Sequence, residues 1–317
     1  MDYLAADFVY VPTKLLVWFG LACFFTALGC SQVGTFLVMR RMSLVGDAIS
    51  HSVLPGIVIA FLILSKFGKA SLDSPWLLIG AGLSGLLATV LIELIHYRSR
   101  IKQDAAIGIS FTSLFALGVL LLGIYAKKVD LDPDCVIFGQ VEYLQGYPRV
   151  EWLGMEFPRP LVSFAVVGVT ATVIVAVLYR ILLVSSFDPS LATSYRYFPA
   201  LVQLVLMGLT SFVVVSAFQA VGAILVIALL ILPGATAYLC ANRLPMILLL
   251  AGVHALLSSV FGVLLALKLE INTGAAVVLA GGGLFTLAWL FGPVDGVVLR
   301  AWRRRAGEGM EPDAVPE

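Results

Sequence analysis

The sequence predicts an all-α, polytopic membrane protein with about nine transmembrane helices. Of its 317 residues, 61% are hydrophobic and 12% are charged, and this charge is about half of the roughly 25% that soluble domains carry. Several apolar runs reach the roughly 20 residues that a helix needs to cross a bilayer. No charged residue lies between Arg196 and Arg243, which predicts two crossings joined by a tight turn near 216–220. These runs exclude a soluble domain.

Charged residues and Pro/Gly breaks divide the apolar runs into nine segments. In chain order they are 15–38, 47–65, 75–96, 105–126, 160–183, 199–216, 220–240, 246–267 and 273–292. The transmembrane domain then covers 1–299, with an acidic outer segment at 127–159 and a polar cytoplasmic tail at 300–317. An N-terminus outside and a C-terminus in the cytoplasm are predicted, because this arrangement puts most of the 20 Lys and Arg residues inside.

Charge and motif content argue against several classes of function. The net charge of +1 is uninformative about nucleic acid, but the sequence has no basic patch interleaved with aromatic residues, so no nucleic-acid partner is expected. The four cysteines have neither metal-ligand spacing nor the spacing of a disulfide framework. A phosphate-binding GxxxxGK[ST] loop is absent from the sequence. We therefore expect neither ATP hydrolysis nor a permanently bound cofactor in this chain.

Ionisable residues inside the predicted spans are few, and each is a functional candidate because charge is costly in a bilayer. Glu93 and His96 lie beside a basic loop, where anchoring at the membrane interface is the favoured interpretation. His254 has only Ser258 and Ser259 close by in sequence, so a neutral, hydrogen-bonded packing histidine is favoured there. These three residues are weaker candidates for a functional site than the next pair.

Asp47 and His51 are paired four residues apart in GDAISHSVLPG. Side chains at i and i+4 are neighbours on one face of a helix, so both can reach one ion at about 2.0–2.2 Å. Carboxylate and imidazole suit Mn²⁺, Fe²⁺ or Zn²⁺ better than Cu⁺. Pro55 and Gly56 are expected to interrupt the helix and free backbone carbonyls. Two alternatives stay open: Asp47 as a helix N-cap, or His51 bonded to Asp47 or to a neighbouring helix.

Three stretches spread over the chain carry a family resemblance. They are RRMSLVGDAISHSVLPG (40–56), SFDPSLA (186–192) and QAVGAILVIALLILPGATA (219–237). They resemble, in that order, the signature, the coupling-helix turn and the late glycine- and proline-marked helix of the ABC-3 family. Members of this family are integral-membrane permeases that import manganese, zinc or iron.

The resemblance implies roles for six residues. Asp47 and His51 would be metal ligands in the translocation path. A coupling helix near 187–198 would contact a separate ATPase subunit, and its matching residues are Phe187, Asp188, Pro189 and Ala192. Arg196 stands where the family usually has a glycine, which puts the local shape of that helix in question.

The leading hypothesis is therefore the permease subunit of an ATP-binding-cassette importer in the bacterial cytoplasmic (inner) membrane. The pattern SHSVLPG resembles the manganese/iron branch more than the zinc branch. The resemblance implies three partners: a cytoplasmic ATP-binding subunit, a second permease copy in a homodimer or heterodimer, and an extracytoplasmic metal-binding protein. An alternative is a permease for a metal chelate of the siderophore, haem or cobalamin type, in which the Asp/His pair would be idle. A membrane metalloenzyme is disfavoured, because it usually needs three protein ligands and a general base.

Overall fold

A computed structural model describes residues 13–42, 44–67, 75–125, 141–152, 155–294, 296–298 and 300. Within these residues the chain forms eleven α-helices, one 3₁₀ turn (Val141–Gly146) and one β-hairpin. The helices are α1 (Thr13–Met39), α2 (Leu44–Lys66), α3 (Pro75–Arg98), α4 (Gln103–Tyr125), α5 (Arg159–Val177), α6 (Tyr179–Phe187), α7 (Pro189–Ser194), α8 (Pro199–Val221), α9 (Ala223–Cys240), α10 (Leu244–Leu269) and α11 (Thr273–Phe291). The strands are β1 (Arg149–Trp152) and β2 (Met155–Pro158).

The predicted all-α polytopic membrane fold is confirmed. In the part of the chain that the structure describes, eight helices are long and apolar enough to cross a membrane. They are α1, α2, α3, α4, α5, α8, α10 and α11. The remaining predicted segment, 220–240, corresponds to α9, which has a shorter apolar stretch over Leu225–Cys240. The sides of the membrane on which the termini lie stay a prediction.

Helix α1 is the most buried of these spans and forms the centre of the bundle. It packs against α5, α8, α9 and α10, whereas α2, α3 and α4 pack together and meet the rest of the bundle mainly at α8. Glycine permits the closest approaches, as is common between membrane helices. A Cβ at Gly34 would collide with the backbone carbonyl of Leu230 on α9, and one at Gly168 on α5 would collide with the carbonyl of Phe25.

Helix α2 runs without a break from Leu44 to Lys66, so the prediction of an interruption at Pro55 is wrong. Pro55 is buried, and α4 comes so close at Gly118 that an added Cβ there would lie 2.9 Å from the Pro55 ring. This packing supports the helix across the proline. Because proline has no N–H, the carbonyl of His51 still loses its usual helical partner four residues on.

The turn between the two long uncharged crossings lies at Gly222, not at the predicted 216–220. Gly222 alone separates α8 from α9, with φ 82° and ψ 165°. This positive φ is a conformation that glycine adopts readily and other residues avoid, so the chain turns where it has a glycine. The predicted segment 160–183 is also divided, because α5 ends at Val177 and α6 begins at Tyr179.

A single short helix, α7, lies within the range 187–198 that was predicted for a coupling helix, and its coupling role stays a prediction. Asp188 caps it: its Oδ1 accepts from the backbone N–H of Leu191 at 2.9 Å and from Ser190 Oγ. These hydrogen bonds, that from Ser190 being the stronger, hold the pKa of Asp188 below its ordinary value. Pro189 occupies the first helical position, where its missing N–H costs nothing.

Arg196 takes the place of a glycine at the end of α7 without preventing the helix. Tyr197 N–H donates to the Ala192 carbonyl at 2.9 Å and Arg196 N–H donates to the Thr193 carbonyl at 3.0 Å, the pair of bonds that ends many helices. This ending needs a left-handed residue, and Arg196 adopts it with φ 59°. A residue with a side chain loses about 1–2 kcal/mol of conformational free energy in the left-handed region. The two hydrogen bonds that end the helix offset this cost.

Among the described residues, the antiparallel pair of β1 and β2 is the β-structure that the all-α prediction lacks. It pairs Arg149 with Pro158 and Trp152 with Met155. Arg149 Nη1 forms an ion pair with Glu156 at 3.1 Å, and its guanidinium lies 5.8 Å from the ring of Trp18 on α1. The hairpin therefore covers the first part of α1. The acidic residues of the outer segment before 141, together with the tail 301–317, lie outside the described residues.

Candidate metal-binding site

Asp47 and His51 lie next to each other on one face of α2, as their spacing predicts. The distance between Asp47 Oδ1 and His51 Nε2 is 3.3 Å. Two ligand atoms that each lie about 2.1 Å from one ion are about 3.0 Å apart when the ligand–metal–ligand angle is a right angle. They are about 3.4 Å apart when that angle is tetrahedral. The observed separation therefore suits two ligands of a single ion, with Nε2 as the imidazole ligand.

The alternative role for Asp47 as a helix N-cap does not fit the structure. Helix α2 begins at Leu44, so Asp47 lies inside its first turn. The other alternative, in which His51 bonds to Asp47, has the same geometry as a shared metal ion. Only a metal titration separates these two interpretations.

One wall of the pair is aromatic and its other side is open. The His51 ring centroid lies 6.1 Å from that of Phe111 and 5.5 Å from that of Phe115, the latter edge-to-face, both on α4. Such ring contacts fix the orientation of the imidazole. The side chains of His51 and Asp47 nevertheless remain 45% and 37% exposed. An ion can therefore approach the pair and still bind further ligands.

Within the described residues, no third His, Cys, Asp or Glu side chain joins Asp47 and His51 to complete a metal-binding group. Among the described residues, no group of three or more His, Cys, Asp or Glu side chains could hold a metal ion. A shell larger than two must draw on other sources, such as water, a second chain or backbone oxygens. The carbonyl of His51, which Pro55 deprives of its helical partner, is one backbone oxygen of this helix.

The other candidate histidines have structural surroundings. His254 is 4% exposed between α10 and α11, close to Ser258 and Gly281. It packs as predicted, although its Nδ1 has no hydrogen-bond partner in the described part of the chain. The His96 Nδ1 atom lies 3.2 Å from the Ile101 carbonyl at an exposed helix end, in keeping with a position at the interface.

Sequence reasoning missed the surroundings of Glu93 and Arg40. Glu93 Oε1 is buried and has no hydrogen-bond partner among the described residues, which does not match an exposed interfacial anchor. Arg40 is held by Ser186 and Gln203, which lie 146 and 163 residues further along the chain. No local sequence signal reports contacts over such separations, so only the tertiary structure reveals them.

The predicted coupling residues, which run from the end of α6 into α7, differ in their exposure. Phe187 is 57% exposed, and Asp188 and Pro189 are exposed as well. Further large apolar side chains lie exposed beside them, namely Leu191, Tyr195 and Phe198. Ala192, by contrast, is completely buried. The exposed surface is thus largely apolar, whereas Ala192 packs against the rest of the bundle.

Comparisons with known proteins agree with this architecture. The profile of the ABC 3 transport family matches residues 13–292. The manganese transport system membrane protein MntC of Halalkalibacterium halodurans is 38% identical over 282 residues, covering 89% of this chain and 88% of the relative. The zinc transport system membrane protein TroD of Treponema pallidum is 38% identical over 280 residues, covering 88% and 75%. The solved structure of PsaBC from Streptococcus pneumoniae in complex with Fab aligns with TM-score 0.72 and 31% identity, over 90% of this chain and 95% of that one.

Proposed function

The chain belongs to the ABC 3 transport family, and on this premise we propose that it is the transmembrane permease subunit of an ATP-binding-cassette importer of divalent transition-metal ions. The observation that carries the proposal is the Asp47–His51 pair, whose oxygen and nitrogen lie 3.3 Å apart on a membrane-spanning helix. The names of relatives that transport manganese and zinc support a bare metal ion as substrate. The chain is a multi-pass protein of the bacterial inner membrane.

In this proposal Asp47 and His51 are the ion's protein ligands. They replace part of its hydration shell, and the open side of the pair leaves room for water or for a second permease copy to supply the rest. An extracytoplasmic metal-binding protein delivers the ion, and the end of the bundle that carries α7 faces the cytoplasm. A cytoplasmic ATP-binding subunit then drives the change that releases the ion inward.

We propose that manganese or iron is preferred over zinc. The names of the two relatives do not decide this preference, because one is named for manganese and the other for zinc. A carboxylate–imidazole pair binds Zn²⁺ more tightly than Mn²⁺ by the usual order of divalent metals. Selection for manganese therefore has to come from coordination number, since Mn²⁺ favours six ligands and Zn²⁺ four. The open side of the pair, with its capacity for further ligands, suits the larger shell.

Metal transport by the full complex tests this function. The chain is reconstituted in proteoliposomes with its ATP-binding subunit, and ATP-dependent uptake is titrated with Mn²⁺, Fe²⁺ and Zn²⁺. We expect saturable uptake, with Mn²⁺ or Fe²⁺ half-saturating at a lower concentration than Zn²⁺. Uptake of a siderophore, haem or cobalamin in place of any bare ion would contradict the proposal and support the chelate alternative.

We also propose that the exposed surface at the start of α7 docks on the ATP-binding subunit through Phe187, Asp188 and Pro189, with Ala192 packed beneath as a spacer.

Changing Asp188 to arginine removes the cap of α7 and reverses the charge at this surface. We expect Asp188→Arg to lose co-purification of the ATP-binding subunit from detergent-solubilised membranes. The matched control is Asp188→Asn, which keeps a capping oxygen and is expected to retain the subunit. Normal co-purification of Asp188→Arg would contradict the docking role.

A further inference from the structure

The guanidinium of Arg40 connects three elements at the end of the bundle that carries α7. Arg40 lies in the turn between α1 and α2. Its Nε donates to Ser186 Oγ at 2.9 Å, near the end of α6, and its Nη1 donates to Gln203 Oε1 at 2.6 Å, near the start of α8. Because α6 and α8 flank α7 in the chain, Arg40 holds both arms of the coupling helix against the α1–α2 turn.

The same turn is tied down at Met42, just before α2 begins. Met42 is 6% exposed, and its sulfur accepts from the side-chain amides of Gln103 at 3.4 Å and Gln203 at 3.5 Å. Gln203 therefore contacts Arg40 with its oxygen and Met42 with its nitrogen. Asp47 follows in the first turn of α2, so a displacement of α8 reaches the metal pair through five residues of chain.

One nitrogen of the Arg40 guanidinium is buried without a hydrogen bond among the described residues, and so is one oxygen of the Glu93 carboxylate. Arg40 Nη2 and Glu93 Oε1 are both buried, and neither has a hydrogen-bond partner in the described ranges. Burial lowers the pKa of Arg40, and the negative charge of Glu93 partly opposes this. A buried polar atom without a hydrogen bond is costly, and each such atom in a native structure calls for an explanation. Glu93 lies on α3, an element that neither Ser186 nor Gln203 belongs to.

We propose that Arg40 is the positioning residue that couples α7 to the metal pair, and that its guanidinium exchanges partners between Ser186 and Gln203 in this conformation and Glu93 in the alternate one. The inference rests on the proposed transport function. When the ATP-binding subunit moves α7, the bonds to Ser186 and Gln203 are strained. Pairing with Glu93 then keeps the buried charge compensated, so the two arrangements remain close in free energy and the turn can switch between them.

Transport and ATP hydrolysis by the complete complex in proteoliposomes test the exchange. The variants are Arg40→Gln, Glu93→Gln and the double variant. We expect Arg40→Gln to assemble with the ATP-binding subunit but to lose the stimulation of ATP hydrolysis by metal. Its rate of Mn²⁺ uptake should fall about tenfold. Glu93→Gln should show the same defect, and the double variant should be no worse than Arg40→Gln, because groups that act on one switch are not additive.

Two matched controls separate this role from a general loss of charge. Arg41→Gln changes the exposed neighbour in the same turn, and Asp104→Asn changes an exposed carboxylate in the first turn of α4. Both are expected to stay within about twofold of the wild type. Arg40→Gln with normal metal-stimulated hydrolysis would overturn the inference, and additive losses in the double variant would overturn the part that Glu93 plays.

A smaller change covers the case in which Arg40→Gln fails to assemble. Ser186→Ala removes the acceptor of Arg40 Nε and leaves every charge in place. We expect reduced metal stimulation of ATP hydrolysis, and unchanged stimulation would overturn the inference. A wild-type complex that transports no metal ion would overturn the proposed function and this inference with it. If the wild-type complex transports metal ions and the Arg40→Gln variant keeps its metal-stimulated ATP hydrolysis, the inference alone would be overturned.

Discussion

Alanine at Asp47 or at His51 is expected to reduce ATP-driven Mn²⁺ uptake by at least about 100-fold. Loss of a group that only hydrogen-bonds to a metal ligand already costs about 10–100-fold in affinity or activity, and loss of the ligand itself should cost no less. Oδ1 of Asp47 and Nε2 of His51 lie 3.3 Å apart and would each supply one bond to the same ion. When one residue is replaced, the other still supplies only its own bond. The measurement is initial Mn²⁺ uptake into proteoliposomes, together with Mn²⁺ binding to the purified full-length chain.

Assembly has to survive these changes for the result to bear on metal binding. Both side chains are partly exposed, so we expect their truncation to leave the buried face of α2 in place. Ser50→Ala is the matched control, because Ser50 lies between them in sequence and its hydroxyl donates to the Gly46 carbonyl of its own helix. We expect this control to bind and transport Mn²⁺ normally. Wild-type uptake by Asp47→Ala or His51→Ala would contradict the ligand assignment.

Gly34→Ala is expected to destabilise the folded protein by about 3 kcal/mol or more. The new Cβ would collide with the backbone carbonyl of Leu230, which cannot rotate away as a side chain would. Overpacking of a core typically costs about 1–3 kcal/mol, and a clash with backbone between two membrane helices falls at the upper end. Helices α1 and α9 would have to move apart. The yield of monodisperse protein and its thermal midpoint in detergent measure the effect.

Gly20→Ala on the same helix gives the opposite expectation. A Cβ at Gly20 would have no atom within 4 Å, and alanine favours a helix over glycine by about 1 kcal/mol. We expect this control to keep or raise the thermal midpoint. Equal midpoints for the two variants would show that the contact between α1 and α9 does not limit stability.

The sequence predicted the spans well because a chain in a bilayer has few alternatives to a helix. Backbone groups have no water to bond to there, so each apolar run of sufficient length has to satisfy them internally. The prediction erred where packing decides between local options. Pro55 does not end α2, since α4 supports it at Gly118, and the corner of the α8–α9 hairpin is set by the conformation that Gly222 allows.

The candidate site was predictable to the extent that it is local. Asp47 and His51 are neighbours because of helix geometry alone, and their i, i+4 spacing contains that information. The aromatic wall of Phe111 and Phe115, the buried position of Ala192 and the contacts of Arg40 all depend on helices meeting from distant parts of the chain. A single sequence does not encode those meetings in any pattern that can be read without the structure.

The position of the pair along α2 is close to one end of the helix. Asp47 lies three residues after Leu44, about 4.5 Å of helix rise, whereas about 28 Å of the helix lie beyond it toward Lys66. If the pair binds the transported ion, as proposed, an ion that enters from the Lys66 end would pass most of the length of α2 before it reaches its ligands. The proposed switch at Arg40 would then lie only seven residues before Asp47 in the chain, so the ion would be held close to the residue proposed to control its release.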